Sequence, residues 1–275
     1  MQRFIEQGTV SQRSISGVAV CSGPPEGWVA EIDAAVSRRK TCVGYVNTYT
    51  AYLLARDEAY RAVCRNFTML NDGIGLDIVS FITYGRTFEF NLNGSDFTPY
   101  FLRNTQRRFR VFLLGGQPGV AERAAAACRA IAPQHEYVGT HRGHLSEADE
   151  REVLRQIRAA RANLVIVGFG NPSQEVWMAK YVHELEADLI IGVGALLDFL
   201  AGTMPRAPDW MRRMKLEWLH RLLLEPRRLW KRYIVFTPVL IVQALLERVR
   251  RSWVGSIIAA ALLYVDCPLL EMRGD

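Results

Sequence analysis

Leu164-Val-Ile-Val-Gly-Phe-Gly-Asn-Pro-Ser-Gln-Glu-Val-Trp177 reads as a buried strand, a glycine turn and a helix start in immediate succession. Val165 to Val167 are branched and apolar, as in a strand covered on both faces. Gly168 and Gly170 let a backbone approach a ligand closely. Pro172 suits a first helical turn, where a missing N–H costs nothing. Gln174 and Glu175 fall in that turn, where unpaired backbone N–H groups and the positive dipole end favour an anion. Junctions of this kind also serve only to pack, so the weight comes from the chain around this one.

Upstream, the spacing predicts strands over Ser14 to Val20, Thr41 to Val46, Phe67 to Leu70, Phe109 to Leu114 and Glu136 to Gly139; downstream, Asp188 to Val193. Gly23-Pro-Pro-Glu-Gly27 is a turn cluster. Between the strands lie helical patterns: Trp28 to Arg38, Asn47-Thr48 to about Arg65, Ile74 to Tyr84, Phe97 to Arg107, Val120 to Ala132, and a helix to Ala160 opened by the capping box Ser146-Glu-Ala-Asp149. This alternation predicts an α/β fold with a Rossmann-like, mostly parallel, doubly wound sheet. In such sheets ligands bind beyond the carboxyl ends of the strands. Asn47 with Thr48, Asp72, Gly115-Gly116, and Gly168 through Glu175 converge there. Gly115-Gly-Gln-Pro-Gly119 is not the G-x-G-x-x-G fingerprint and no P-loop sequence occurs, so an NAD(P) oxidoreductase and P-loop chemistry both lose ground.

The 275 residues, 49% hydrophobic, suffice for one large domain or a domain with an appendage. Five scattered cysteines without a C-x-x-C pair argue against a disulfide framework or zinc knuckle, and predict reduced thiols in the cytoplasm. The N-terminus lacks the apolar region of a secretory signal. Net charge is +6, yet residues 206–251 alone hold twelve Lys or Arg against four Asp or Glu, a net +8. That segment expects phosphates or an anionic surface as its partner. No nucleic-acid motif accompanies it. His141-Arg-Gly-His144 lacks Cys or carboxylate partners at ligand spacing and reads as a surface loop rather than a metal site.

Gly192-Val-Gly-Ala-Leu-Leu-Asp-Phe-Leu-Ala-Gly-Thr-Met-Pro-Arg-Ala-Pro208, Leu216-Glu-Trp-Leu-His-Arg-Leu222 and Glu225-Pro-Arg-Arg228 resemble the WecG/TagA/CpsF glycosyltransferase family (family 26). So do Gly170-Asn-Pro-Ser-Gln-Glu175, Asn71-Asp-Gly73 and Leu113-Leu-Gly-Gly-Gln-Pro118, in the family's order over roughly residues 15 to 235. The resemblance implies inverting, metal-independent transfer of a sugar from a nucleotide-sugar, UDP-linked, to a polyprenyl-diphosphate-linked acceptor in bacterial surface polysaccharide synthesis. No cofactor and no metal ligand is implied, and no D-x-D sequence is present. An inverting transfer needs a base for the acceptor hydroxyl and positive charge for the departing diphosphate. The resemblance places Asp72 as base, with Asn47 and Thr48 beside it; a simple Asp-Gly turn and a helix cap are the plain alternatives. Gly115, Gly116, Gly170, Gln174, Glu175 and Asp198 are implied for substrate binding. Arg206, Arg221, Arg228 and Arg232 resemble the arginines that close over the diphosphate, for which bidentate donors suit. The chain departs from the family pattern at Tyr45, where many members have Thr, at Asn91, and at Ser173. These departures sustain a second reading, a catalytically silent partner of a polysaccharide assembly complex that binds nucleotide-sugar or lipid-diphosphate.

The chain divides by composition into an α/β catalytic domain, residues 1–205, and a basic, partly apolar helical appendage, residues 206–275. Tyr233 to Leu246 and Trp253 to Val265 are apolar runs separated by basic residues. Each is shorter than the roughly 20 residues of a spanning helix, and Pro238 breaks the first. They read as interfacial or re-entrant helices that attach the protein peripherally, or monotopically, to the cytoplasmic face of the bacterial inner membrane, with a soluble helical hairpin packed on the sheet domain or on another subunit as the alternative, while the basic helices of the appendage close the site. A homo-oligomer is left open.

Overall fold

A computed structural model describes residues 10–250. In chain order the strands and helices are β1 (Ser11–Ile15), β2 (Val18–Ser22), α1 (Pro25–Val36), β3 (Thr41–Val46), α2 (Thr48–Arg56), α3 (Glu58–Cys64), β4 (Thr68–Asn71) and α4 (Ile74–Tyr84). They continue with α5 (Gly94–Asn104), β5 (Arg110–Gly115), α6 (Val120–Ile131), β6 (Glu136–His141), α7 (Glu147–Ala159), β7 (Leu164–Gly168), α8 (Ser173–Tyr181) and β8 (Leu189–Gly192). The C-terminal part holds α9 (Leu196–Leu200), α10 (Asp209–Arg213), α11 (Glu217–Leu224) and α12, continuous over Pro226–Arg250.

The strands form one sheet in the order β1-β2-β4-β3-β8-β7-β5-β6. Only β1 and β2 pair antiparallel; the other pairs are parallel. Period-two alternation assigns the side chains to the two faces. Val43, Val111, Ile166 and Ile191 face one apolar cluster, under α1, α5, α6 and α9. Cys42, Phe112, Val165 and Ile190 face another, under α7 and α8, and Val20, Val46 and Met69 a third, under α2, α3, α4 and α12. Helices thus cover both faces, so the doubly wound expectation holds.

Three local expectations are corrected. The expected first strand is a hairpin: Ser16 and Gly17 both take positive φ, at 50° and 78°, and Ile15 pairs with Val18. Two such residues make the tight turn whose twist matches paired strands. The helix expected to reach Arg65 breaks at Asp57, which adopts extended backbone and accepts the Tyr60 N–H at 2.9 Å, capping α3. Pro25 opens α1 inside the expected turn cluster, at a helical position where proline is tolerated.

The appendage differs most from expectation. Pro238 does not break the helix, because Lys231–Phe236 form a π turn just before it, with Thr237 N–H donating to the Arg232 carbonyl five residues back. A regular turn would drive the proline ring into the carbonyl four residues back; the wider turn relieves that crowding. Helix α12 is therefore long and apolar enough to cross a membrane, with 17% of its most apolar window buried. It packs on the α/β body: Leu240 and Ala244 join the cluster of Leu76 and Val79. Phe236 stacks on Tyr52 with ring centroids 4.5 Å apart. The apolar run from Trp253 lies outside the described residues, as do residues 1–9.

Candidate active site

Sheet register sets the site. Val46 pairs with Asn71, so Asn47 and Asp72 leave the sheet side by side, and the Asp72 N–H donates to the Val46 carbonyl at 2.8 Å. Gly115 pairs with Gly168 and Val167 with Gly192, which brings the loops after β5, β7 and β8 to the same edge. A Cβ on Gly115 would sit 2.6 Å from the Gly168 carbonyl oxygen, so only glycine lets these two strand ends come together. A cleft of about 1130 Å³ opens over this edge. Helices α11 and α12 roof it with Arg221, Arg228, Lys231 and Arg232.

Asp72 lines the cleft, and burial raises its pKa above the ordinary aspartate value. Arg232, Arg221 and the facing Asn47 amide pull the other way, and Glu217 adds to the rise. Asn47 is also a helix cap: its Oδ1 accepts the Tyr49 and Thr50 N–H groups, both at 3.1 Å. That leaves its amide N–H₂ for the cleft, so the cap and site readings are compatible. The Asp72 turn is braced from behind, with Asn91 Oδ1 accepting the Gly73 N–H at 2.9 Å and Asn71 donating to the Phe90 carbonyl at 2.6 Å. Asn91 thus supports the position of Asp72. Tyr45 lines the same end; its hydroxyl shares a 2.9 Å hydrogen bond with Thr98, and its ring fills the space a side chain on Gly94 would need.

The structure brings together Asp72, Asn47, Gly116, Gly170, Gln174, Asp198, Arg221, Arg228 and Arg232 as cleft-lining residues. Arg221 and Arg232 each keep a buried Nε without a partner, and Arg232 lies over the Tyr49 ring. Arg228 is tied back to Glu225. Four predicted residues stand apart. Thr48 is buried and accepts a hydrogen bond from the Thr237 hydroxyl at 3.0 Å, fastening α12 to α2. Gly115 lies beneath the lining, against Gly168. Arg206 is paired with Asp96 at 2.7 Å and reaches Glu217 at 3.8 Å, so its charge is balanced beside the cleft.

Glu175 is the fourth, with 0% exposure. Its Oε1 accepts from Asn171 at 2.6 Å and Gln174 at 2.8 Å, and its Oε2 from the Tyr60 hydroxyl at 3.0 Å. Burial pushes its pKa up to about 7 against those hydrogen bonds. Gln174, held by this carboxylate, accepts the Gly170 N–H at 3.2 Å and the Gly194 N–H at 2.9 Å. Both ends of the Gln174 amide are therefore engaged internally, and the pair ties together the loops after β7 and β8. Glu175 thus braces the cleft from behind, while Gln174 both joins that brace and lines the cleft.

Phe236 and Lys231 also line the cleft. Nothing in an apolar run following basic residues marks them, since their placement depends on how α12 lies over α2. Among the described residues no group of three or more His, Cys, Asp or Glu is placed to hold a metal ion.

An N-acetylglucosaminyldiphosphoundecaprenol N-acetyl-beta-D-mannosaminyltransferase of Bacillus subtilis (strain 168) is 32% identical over 195 residues, 70% of this chain and 74% of the relative. A transferase of the same name from Bacillus spizizenii (strain ATCC 23059 / NRRL B-14472 / W23) is 33% identical over 167 residues, 60% of this chain and 63% of its own. One from Staphylococcus aureus (strain NCTC 8325 / PS 47) is 33% identical over 123 residues, 45% of this chain and 46% of its own. The family model of the glycosyl transferases matches residues 13–253, nearly the whole described chain. By that match and by its fold, the chain belongs to the WecG/TagA/CpsF family of glycosyl transferases.

Proposed function

We propose that this enzyme transfers a sugar from a nucleotide-diphosphate-sugar, UDP-linked, to a polyprenyl-diphosphate-linked saccharide in bacterial surface polysaccharide synthesis, with inversion and without a metal ion. The observation that carries this reading is one carboxylate, Asp72, in a cleft roofed by arginines. Asp72 takes the proton of the acceptor hydroxyl as that oxygen attacks the anomeric carbon. The bond from that carbon to the diphosphate breaks on the opposite side, and the leaving group's negative charge meets Arg221, Arg232 and Arg228 and the first turn of α8. Arg221 and Arg232 both line the cleft, and their guanidinium groups supply the donors such a ligand needs. A raised pKa suits a base, because a weakly basic carboxylate would hold the proton less well.

The named activity of the relatives, which acts on an undecaprenol-diphosphate sugar, supports a lipid-linked acceptor. The exposed apolar side of α12 supports attachment to a membrane, which we place at the cytoplasmic face of the bacterial inner membrane. The test is a radiolabelled-sugar assay with purified protein, a panel of nucleotide-sugars and an N-acetylglucosaminyl-diphosphate-lipid acceptor, with and without EDTA. Turnover that survives EDTA and is lost in Asp72→Asn, with donor binding retained, is the expected result. Tight donor binding without turnover across the panel would favour the silent-partner reading. Loss of turnover on chelation would refute metal independence.

A further inference from the structure

Helix α4 belongs to the catalytic body, yet only one side of it is covered. Leu76 and Val79 face the apolar cluster beneath, whereas Ile78, Phe81 and Tyr84 are exposed at three-residue intervals along the outer side, Phe81 to 55%. Large apolar side chains left in water on one helix face mark a contact surface. Its neighbours extend the surface. Arg248 of α12 donates to the Ile82 carbonyl at 3.2 Å, joining the two helices at their ends, and the outer side of α12 exposes Leu245, Leu246 and Val249. On the other flank Lys215 pairs with Asp77 of α4 at 2.8 Å, holding α10 close, and Trp210 and Met214 beside it are more than half exposed.

Exposed Trp and Tyr with arginines around an apolar strip is the composition of a membrane–water boundary, where aromatic rings and guanidinium groups sit at headgroup level. From the basic C-terminal segment, Lys215 and Arg248 both contact α4 itself, and positive charge at this face matches an anionic leaflet.

We propose that α4 is a second membrane-contact element. Ile78, Phe81 and Tyr84 enter the headgroup–acyl boundary of an anionic bilayer together with the outer side of α12. The proposal rests on the membrane-side reading above and deepens it. Two nearby elements contacting the bilayer, rather than the appendage alone, fix the orientation of the cleft. Because α4 begins two residues after Asp72, that orientation is passed directly to the base.

The test uses the full chain and vesicles of phosphatidylglycerol and phosphatidylethanolamine, with binding read by flotation. The double variant Ile78→Glu/Phe81→Glu removes two half-exposed apolar groups and adds charge of the wrong sign, so its partition coefficient should fall about tenfold or more. Turnover on a detergent-dispersed acceptor should be unchanged, since neither residue lines the cleft. Phe81→Ser alone, mild at an exposed position, should show a smaller fall in the same direction, and Phe81→Trp should retain binding. Unchanged partition in the double variant overturns the proposal. Unchanged partition together with dissociation of an oligomer in light scattering overturns it too, and assigns the face to a second copy of the chain. Wild-type protein that turns over substrate but does not float with vesicles would remove the membrane reading while leaving glycosyl transfer standing.

Discussion

Replacing Glu175 by glutamine isolates the energy held in the brace behind the cleft. In the folded chain this carboxyl is fully buried among three donors, with its pKa at about 7 against an ordinary 4.5. A folded pKa raised above the unfolded one means the protonated form favours folding. The contribution is complete below the ordinary glutamate pKa and is lost as pH rises through about 7. At 1.36 kcal/mol per unit the full swing is about 3 kcal/mol, of which about 2.5 kcal/mol falls between pH 5 and pH 8. Glutamine imitates the neutral acid: its oxygen accepts from Asn171 and Gln174, and its amide donates to a Tyr60 oxygen turned to act as acceptor. Thermal unfolding of wild type and Glu175→Gln at pH 5 and pH 8 reads the difference. For a chain of this length each kcal/mol moves Tm by roughly 2–4 °C. The variant should therefore gain about 5–10 °C on wild type between the two pH values. A difference in Tm that stays the same at both pH values refutes the reasoning, because the folded chain would then not change the protonation of Glu175 between them.

Asp72→Asn should cost roughly 10²–10⁴-fold in turnover, the usual contribution of a positioned base, with donor affinity measured by calorimetry little changed. In wild type the acidic limb of the kcat/KM profile, which reports the free enzyme, should lie above the ordinary aspartate range, in keeping with the raised pKa of the Asp72 carboxyl; a limb within that range would remove Asp72 as base. Arg232→Ala should lose about 1.5–3 kcal/mol of transition-state binding, the worth of a charge-assisted hydrogen bond, read as kcat/KM. Arg206→Ala, already paired with Asp96, should lose less than Arg232→Ala in the same assay. Asp57→Ala removes the cap of α3 and should lower stability by about 1 kcal/mol without altering KM.

Strand periodicity, glycine turns and the residues at strand ends were legible because they express local rules. A buried parallel strand must be apolar on both faces, and a helix start needs a cap, so β3, β7 and the capping box of α7 stand where the sequence implied. Asp72 and Asn47 were identifiable in the same way, as polar groups at the carboxyl end of strands; that they are neighbours follows from the register of β3 with β4. Local rules failed where a second force intervened. Pro238 passes through α12 because a π turn relieves its clash, and Ser16-Gly17 divides a run of strand-forming residues because both take positive φ.

Residue chemistry and spacing alone thus determined the fold class and the carboxylate at the strand end, and the resemblance of short motifs gave the family. Packing decided the rest. Glu175 and Gln174 carry polar groups suited to a substrate, but the close approach of the β7 and β8 loops and of Tyr60 engages both carboxylate oxygens and both ends of the Gln174 amide. Arg221 and Arg232 lie on helices far along the chain, and only the seating of α12 on α2, through Phe236 and Thr237, turns them toward the cleft while Arg206 is spent on Asp96. Contacts between segments distant in sequence depend on the shape of both partners, which no short stretch of either one encodes.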